Sequence, residues 1–83
     1  MDKVMITLVV PSLGETFDVL LPIFLTIREL IPLLAKALTE ITENRYVASG
    51  EEILCSGERQ IVFGQMSTIQ ECGIQNSDCI YLF

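Results

Sequence analysis

The sequence contains no histidine and no tryptophan, and basic residues are few. Without histidine, neither a Ser-His nor a Cys-His nucleophilic pair can be assembled, so these forms of covalent catalysis are excluded. Five lysine and arginine residues stand against eleven acidic residues, which gives a net charge of −6. Such a charge opposes binding to nucleic acid and to anionic membrane surfaces, because both depend on basic side chains. We therefore expect a protein that is not an enzyme and does not bind nucleic acid.

Cysteines are few, and long apolar runs are missing. The sequence has three cysteines, Cys55, Cys72 and Cys79, an odd number without a Cys-x-x-Cys pair. It also has no histidine that could bind a metal together with them. A reducing cytoplasm therefore fits best. We expect Cys72 to be a small buried side chain under a turn, since no basic residue lies near it in the sequence to lower its pKa. No apolar run approaches the roughly 18 residues of a membrane span, and the N-terminus is unlike a signal peptide. The glycines match no phosphate-binding pattern, and the acidic residues are not spaced as in a calcium loop, so we expect no cofactor and no metal.

Residues 25–41 are the only long segment with a helical period. Thr26 followed by Glu29 is the signature of a capping box, which predicts a helix beginning at Thr26. Pro32 costs about 3 kcal/mol inside a helix, yet it points away from the apolar stripe. We predict one bent helix; the alternative is a second helix beginning near Pro32. The apolar stripe comprises Ile27, Leu30, Ile31, Leu34, Leu38 and Ile41.

Short apolar segments rich in β-branched residues flank this helix. Before it, two predicted strands are joined by a loop with proline and glycine, which indicates a hairpin. After it come a third strand, a short fourth strand, one helical turn and a last strand. This order predicts an α+β protein with the β-grasp fold, in which a mixed sheet of four or five strands packs on one helix within a single domain, 1–83. The predicted segments are strands 4–10, 16–21, 52–56, 60–63 and 78–83, and the turn 68–73.

The C-terminal third resembles the closing segment of ubiquitin-like proteins, with a Ser-Gly turn, a short strand, a Thr-Ile-x-Glu-x-Gly-Ile turn and a final apolar strand. Thr26-Ile27 followed by Leu30 and Leu34 resembles the start of the ubiquitin helix. Residues 65–74, QMSTIQECGI, resemble the corresponding turn of the YukD/EsaB family, which are accessory proteins of type VII secretion in Gram-positive bacteria. The matching positions are Ile69, Glu71, Cys72, Gly73 and Ile74.

The resemblance implies a cytoplasmic accessory or regulatory protein that binds cytoplasmic domains of membrane subunits of the secretion machinery. Covalent modifiers and sulfur carriers of this fold instead act through a tail that ends in Gly-Gly, whereas this sequence ends in residues 80–83, IYLF. Conjugation is therefore the alternative that we disfavour. A third alternative is a standalone copy or fragment of the ubiquitin-like domain found at the start of larger membrane subunits. The oligomeric state stays open.

The last and third strands are predicted to supply a partner-binding surface. Alternation along the last strand turns Tyr81 and Phe83 to the outer side of the sheet, while Ile80 and Leu82 face the helix. In the third strand we expect Leu54 to point outward, with Ile53 and Cys55 inward. The resemblance to ubiquitin places Leu54 and Phe83 in its apolar recognition patch, with Leu13 of the first hairpin loop nearby. The predicted partner-binding residues are Leu13, Leu54, Tyr81 and Phe83; the alternative is that these are single exposed apolar residues without a partner.

Overall fold

A mixed four-stranded sheet packs one face on a single helix. The computed structural model describes residues 2–83. The strands lie in the order β2-β1-β4-β3; β1 and β4 run parallel, and the β1–β2 and β4–β3 pairs are antiparallel. A helix that follows the first hairpin and packs on a sheet with two parallel central strands is the β-grasp arrangement, so the predicted fold class is confirmed. The elements are β1 Lys3–Val10, β2 Glu15–Pro22, α1 Ile27–Ile41, β3 Leu54–Ser56 and β4 Cys79–Leu82.

The first hairpin is confirmed and is slightly longer than predicted. Its strands pair over their full lengths, from Lys3 opposite Pro22 to Val10 opposite Glu15. At the turn, the N–H of Gly14 donates to the carbonyl of Val10 at 3.1 Å, and Gly14 has a φ of +66°. Glycine adopts this left-handed conformation without steric cost. The hairpin therefore supplies the edge strand β2 and the central strand β1 of the sheet.

The predicted short strand 60–63 is wrong. Its only ladder contact in the described chain is one bridge between Val62 and Cys55. The chain returns too tightly for a strand, because the N–H of Gln60 donates to the carbonyl of Ser56 at 3.0 Å and Gln60 has a φ of +55°. The strands predicted at 52–56 and 78–83 are also shorter in the structure, as β3 and β4. The sheet therefore has four strands.

The helix begins at the predicted cap and continues through Pro32. The N–H of Glu29 donates to Thr26 Oγ1 at 3.1 Å, and the N–H of Thr26 donates to Glu29 Oε1 at 3.0 Å. The backbone hydrogen bond from Thr26, followed by its side-chain bond, lowers the pKa of Glu29 below its ordinary value. Pro32 lies inside α1 with its side chain exposed. Of the two alternatives, the single helix is therefore confirmed.

The chain segment before the helical turn 68–73 completes the cap. The first N–H groups of α1 have no partner within the helix. The N–H of Ile27 donates to the carbonyl of Ser67, and the N–H of Arg28 donates to the carbonyl of Gln65, both at 2.9 Å. The predicted turn itself is confirmed by the bond from Cys72 N–H to the Thr68 carbonyl at 2.9 Å. The start of α1 is thus fixed by residues distant in sequence.

The core fills the space between α1 and the inner face of the sheet. Most of the predicted apolar stripe is buried, but Ile41 is 62% exposed and was wrongly included. At that end of α1 the buried side chains of Thr42 and Tyr46 close the core instead. The predicted stripe also omitted Ala35, which is buried. The buried residues of α1 are Ile27, Leu30, Ile31, Leu34, Ala35 and Leu38.

Replacing Pro32 by alanine is expected to stabilise the protein, by up to about 3 kcal/mol, because alanine restores a helical hydrogen bond and is the better helix former. Urea unfolding followed by circular dichroism measures the change. Leu33→Ala is the neighbouring control, at a side chain that is 55% exposed, and we expect a change within about 0.5 kcal/mol. An unchanged or lowered stability in Pro32→Ala would show that the proline is compensated within the fold.

Candidate functional site: the outer sheet face

Leu54 lies on the opposite side of the sheet from the predicted one. It is 1% exposed and pairs with Leu82, whose side chain faces the helix. The prediction assumed that apolar Ile53 and Cys55 point inward, but the structure buries the polar flanking residues Glu52 and Ser56 instead. A shift of one residue in a strand moves every side chain to the other face. Leu54 is therefore a core residue and cannot contact a partner.

Five side chains form what we name the outer sheet face: Ile53, Cys55, Val62, Tyr81 and Phe83. Cys55 lies opposite Tyr81 in the ladder and bridges to Val62. Ile53 and Phe83 exchange both backbone hydrogen bonds, at 2.9 and 3.0 Å. Tyr81 and Phe83 point outward, as the alternation predicted, and Phe83 is 59% exposed. Their role in binding stays a prediction.

Leu13 is the fourth predicted residue of the site. It lies in the turn between β1 and β2, is half-buried and packs against the core cluster. Its apolar side chain thus contributes to packing at the hairpin end. The structure brings Tyr81 and Phe83 together, whereas Leu54 and Leu13 both pack with the core.

A stacked aromatic pair gives the outer sheet face its shape. The ring centroids of Tyr81 and Phe83 are 6.0 Å apart and the ring planes differ by 15°. Gly57 lies under the Tyr81 ring, because a Cβ added at Gly57 would lie 2.6 Å from Tyr81 Cε1. A shallow cavity of about 360 Å³ opens beside the pair, and Ile61 and Val62 form part of its lining. The sequence indicated Gly57 only as part of the Ser-Gly turn, and its packing under Tyr81 was not predicted.

Replacing Gly57 by alanine is expected to displace the Tyr81 ring and to cost about 1–3 kcal/mol through overpacking. The ring-proton shifts of Tyr81 and Phe83 in NMR spectra report the loss of the stacked arrangement. Gly64→Ala is the matched control, since its added Cβ would meet only Ser67 Oγ at 3.7 Å. Identical ring shifts in Gly57→Ala and the unmodified protein would contradict the close packing.

None of the five side chains of the outer sheet face is charged, although the chain carries a net charge of −6. The charged side chains on the same side of the sheet, Lys3 and Asp18, belong to β1 and β2. Contiguous exposed apolar surface on a small protein is typical of a protein-binding site. Depletion of charge together with enrichment in aromatic side chains is also characteristic of the core of protein interfaces. The chemistry available at this face is therefore apolar contact.

A cluster of polar groups lies in the loop between α1 and β3. The Glu52 carboxylate accepts hydrogen bonds from the Tyr46 hydroxyl at 2.8 Å, from Ser49 N–H at 2.9 Å and from Gly50 N–H at 3.1 Å. Burial by itself raises the pKa of Glu52, but these bonds outweigh it and leave the pKa below its ordinary value. Burial, reinforced by the hydrogen bond to Glu52 and the charge of Glu52, raises the pKa of Tyr46 to about 12. The cluster fixes the loop and was not predicted.

Stability is expected to fall at both pH extremes through this cluster. The pKa of Glu52 is lower in the folded state than in the unfolded state. Its contribution to the free energy of unfolding is therefore complete above the ordinary carboxylate pKa and is lost as the pH falls through the lowered value. Because the pKa of Tyr46 is raised, its contribution is present below about pH 10 and is lost as the pH rises through about 12. Melting temperatures across pH measure both arms. Tyr46→Phe should flatten the alkaline arm; an unchanged alkaline arm would contradict the assignment.

The thiol and metal chemistry of the described residues is limited. Cys72 is half-buried, and burial raises its pKa; Arg59 opposes this shift and Glu71 adds to it. Within residues 2–83, no three His, Cys, Asp or Glu side chains are grouped to hold a metal ion. No helix in the same range has the length and apolar character needed to cross a membrane.

The turn 68–73 carries a capping box of its own. The N–H of Thr68 donates to Glu71 Oε1 at 2.8 Å, and the N–H of Glu71 donates to Thr68 Oγ1 at 3.0 Å. This capping pair was not predicted, although its Thr-x-x-Glu spacing is the same as that of Thr26 and Glu29.

Comparisons with known proteins show the fold. No protein-family model matches the chain, and no curated protein matches its sequence. The EccD5 ubiquitin-like domain from Mycobacterium xenopi superposes with a TM-score of 0.81 at 12% identity, over 100% of this chain and 94% of that one. The ubiquitin-like domain of the Mycobacterium tuberculosis type VII secretion system protein EccD1 gives 0.78 at 14% identity, over 99% and 98%.

A chain of the MycP5-free ESX-5 inner membrane complex is also similar, with a TM-score of 0.73 at 17% identity; the match covers 100% of this chain and 21% of that one. At such low identities, similarity shows the fold alone. The structural neighbours include ubiquitin-like domains of type VII secretion proteins, and the chain has the ubiquitin-like β-grasp fold.

Proposed function

We propose that this chain is a non-catalytic, ubiquitin-like protein-interaction module of a bacterial type VII secretion system. In this proposal it is a cytoplasmic accessory or regulatory protein of the YukD/EsaB kind and is not conjugated to its targets. The observation that carries the proposal is the uncharged, partly exposed outer sheet face. The near-complete overlap with ubiquitin-like domains of two EccD proteins supports the choice of secretion system.

The proposed partner is a cytoplasmic domain of a membrane subunit of the secretion machinery. Phe83 and Val62 are more than half exposed, so both can bury apolar area against such a domain. Aromatic residues at the centre of an interface usually dominate the binding energy. The stacked Tyr81 and Phe83 pair is the expected centre of the contact, with Ile53 beside it. A similar domain occurs in a chain of an inner membrane complex, which supports a partner of this kind.

The chemistry of the chain supports a role in binding over a role in catalysis. Histidine is absent, and the raised pKa of Cys72 disfavours the thiolate form that a nucleophile needs. Glu52, the buried carboxylate of the loop, is fully engaged in hydrogen bonds to its own loop and to Tyr46. Arg59 does not overcome the effect of burial on Cys72, and Glu52 has no free acceptor for a substrate proton.

Affinity capture from the native cells tests the proposal. N-terminally tagged protein is recovered in mild detergent, and the co-purifying proteins are identified. The outer-face variant is Ile53→Ser with Phe83→Ser. The matched control is Leu33→Ser with Ile41→Ser, because these two side chains are also exposed, at 55% and 62%, but lie on α1. Circular dichroism confirms that both variants are folded.

We expect a membrane subunit of a type VII secretion system to be captured by the unmodified protein and by the control, and to be lost with the outer-face variant. Equal capture by all three proteins would contradict the proposed face. Recovery of an adenylating enzyme, or of a ladder of heavier covalent adducts, would favour the covalent-modifier alternative.

A further inference from the structure

A groove of about 450 Å³ lies between α1 and the loop that precedes β3. One stripe of the helix, from Arg28 to Thr39, forms its long wall, and at 1.5 Å per residue this wall is about 16 Å long. Ala48 and Gly50 belong to the facing loop. The helix packs on the inner face of the sheet, so this groove and the outer sheet face lie on different sides of the molecule. Nothing in the proposed function uses it.

Two of the five basic residues of this acidic chain line the groove. Arg28 and Lys36 are exposed, and neither forms an ion pair in the described part of the chain, where Arg45 pairs with Glu15. Eight residues separate them along the helix, which corresponds to about 12 Å. The groove thus carries two of the five cations of a protein with a net charge of −6, at helix positions about 12 Å apart.

Glu52 is the acidic side chain among the lining residues. Its carboxylate is 5% exposed, and both of its oxygens accept hydrogen bonds from Tyr46, Ser49 and Gly50. Three donors within the protein therefore satisfy its oxygens and leave no free acceptor, although the carboxylate keeps its negative charge. The two cations at the groove, Arg28 and Lys36, exceed this one negative charge.

Pro32 lies in the same wall, between the two cations. Proline has no N–H, so the carbonyl of Arg28 cannot accept the helical hydrogen bond that normally comes from four residues further on. The side chain of Pro32 is exposed, and Ile31 and Ala35 beside it are buried and apolar. Pro32 thus leaves the Arg28 carbonyl as a backbone acceptor in the groove wall.

We propose that this groove binds an extended acidic segment of a partner protein. Arg28 and Lys36 hold two carboxylates, and the Arg28 carbonyl accepts a backbone N–H of the segment. An apolar side chain between the carboxylates contacts the exposed ring of Pro32. An extended chain rises about 3.3 Å per residue and its alternate side chains share a side. A spacing of about 12 Å therefore corresponds to carboxylates four residues apart, with the apolar residue midway.

A short peptide with this spacing tests the proposal. The probe is acetyl-Ser-Glu-Ser-Val-Ser-Glu-Ser-amide, titrated into ¹⁵N-labelled protein and followed by NMR. We expect concentration-dependent shifts at amides of residues 28–31, 33–39 and 48–52 and none at Tyr81 or Phe83. A peptide with both Glu replaced by Gln should bind at least about fivefold more weakly, and added salt should weaken the Glu peptide.

Charge-matched variants separate the groove from net charge. Lys36→Gln should weaken binding of the Glu peptide about two- to fivefold, whereas Lys3→Gln removes the same charge at the start of β1 and should leave binding unchanged. Pro32→Ala removes the free acceptor and is expected to bind about fivefold more weakly. Its melting temperature should rise at the same time, which distinguishes lost recognition from lost folding.

Several results would overturn the proposal. These are the absence of shifts at millimolar peptide, equal binding of the Glu and Gln peptides, and shifts confined to the outer sheet face. Groove amides that shift with the concentration of the protein alone would also overturn it, because a second copy of this chain would then occupy the groove. The proposal does not depend on the secretion role, since the probe contains no secretion component.

Discussion

Replacing Leu54 by alanine is expected to lower the free energy of unfolding by about 2–5 kcal/mol. Leu54 is 1% exposed and lies opposite Leu82 in the layer between the sheet and the helix. Truncation removes apolar contacts and leaves a cavity that the surrounding strands cannot fill. A domain of this size has a total stability of only about 4–12 kcal/mol, so the loss takes a large part of it.

Ile53→Ala is the control for this prediction, because Ile53 is the neighbouring residue on the other face of the sheet and is 37% exposed. Its replacement should cost about 1 kcal/mol or less. Urea unfolding followed by circular dichroism gives both values. A larger loss at Ile53 than at Leu54 would mean that β3 has the opposite orientation and that the outer sheet face is wrongly assembled.

Replacing Glu52 by alanine is expected to cost about 3 kcal/mol. The change leaves the Tyr46 hydroxyl and the N–H groups of Ser49 and Gly50 without their acceptor. An unsatisfied buried donor costs about 1–3 kcal/mol, and water reaches part of this loop once the side chain is removed. Loop amides should also exchange with solvent faster, since the cluster fixes the loop.

The control here is Glu51→Ala, at the adjacent and exposed carboxylate. It removes the same charge and should change the free energy of unfolding by no more than about 0.5 kcal/mol. Thermal and urea unfolding of both variants provide the comparison. Equal effects at the two positions would contradict the structural role of Glu52 and would also weaken the described geometry of the groove wall.

The helix and the first hairpin were predictable because their signals are local. The capping box of Thr26 and Glu29 lies within four residues, and the apolar stripe repeats over several turns of α1. Both strands of the hairpin are eight residues long and are joined by a turn with glycine. Patterns repeated over such lengths predict an element correctly even where contacts with distant residues also act on it.

The orientation of β3 was not predictable from its own residues. The strand has only three residues, so alternation gives little information, and apolar Ile53 and Cys55 favoured the wrong face. The orientation is decided by residues outside the strand. The Tyr46 hydroxyl and the N–H groups of Ser49 and Gly50 allow Glu52 to be buried. Burial of a carboxylate depends on donors that the local pattern does not show.

The remaining parts of the two surfaces depend on how the chain returns on itself. Val62 reaches the outer sheet face, and Ile61 the cavity beside it, because the chain turns tightly after Ser56, where Gln60 takes a positive φ. The spacing of Arg28 and Lys36 is visible in the sequence, but the facing wall of the groove comes from the loop before β3. Only the folded chain shows that the cations, Pro32 and this loop enclose one groove.

The two proposed binding surfaces lie on different sides of the fold. The outer sheet face offers apolar side chains without formal charge, whereas the groove offers two cations beside the exposed Pro32. Because the surfaces share no residue, both can be occupied at once. Variants at Phe83 and at Lys36 should therefore have independent effects on binding.

Site-specific photocrosslinking in the native cells tests the proposed partner and face most directly. Benzoylphenylalanine is placed at position 83 on the outer sheet face or, as the control, at position 33 on the exposed side of α1. We predict that position 83 yields a covalent adduct with a membrane subunit of a type VII secretion system and that position 33 does not. An adduct with that subunit at position 33 and none at position 83 would contradict the outer sheet face as the docking surface.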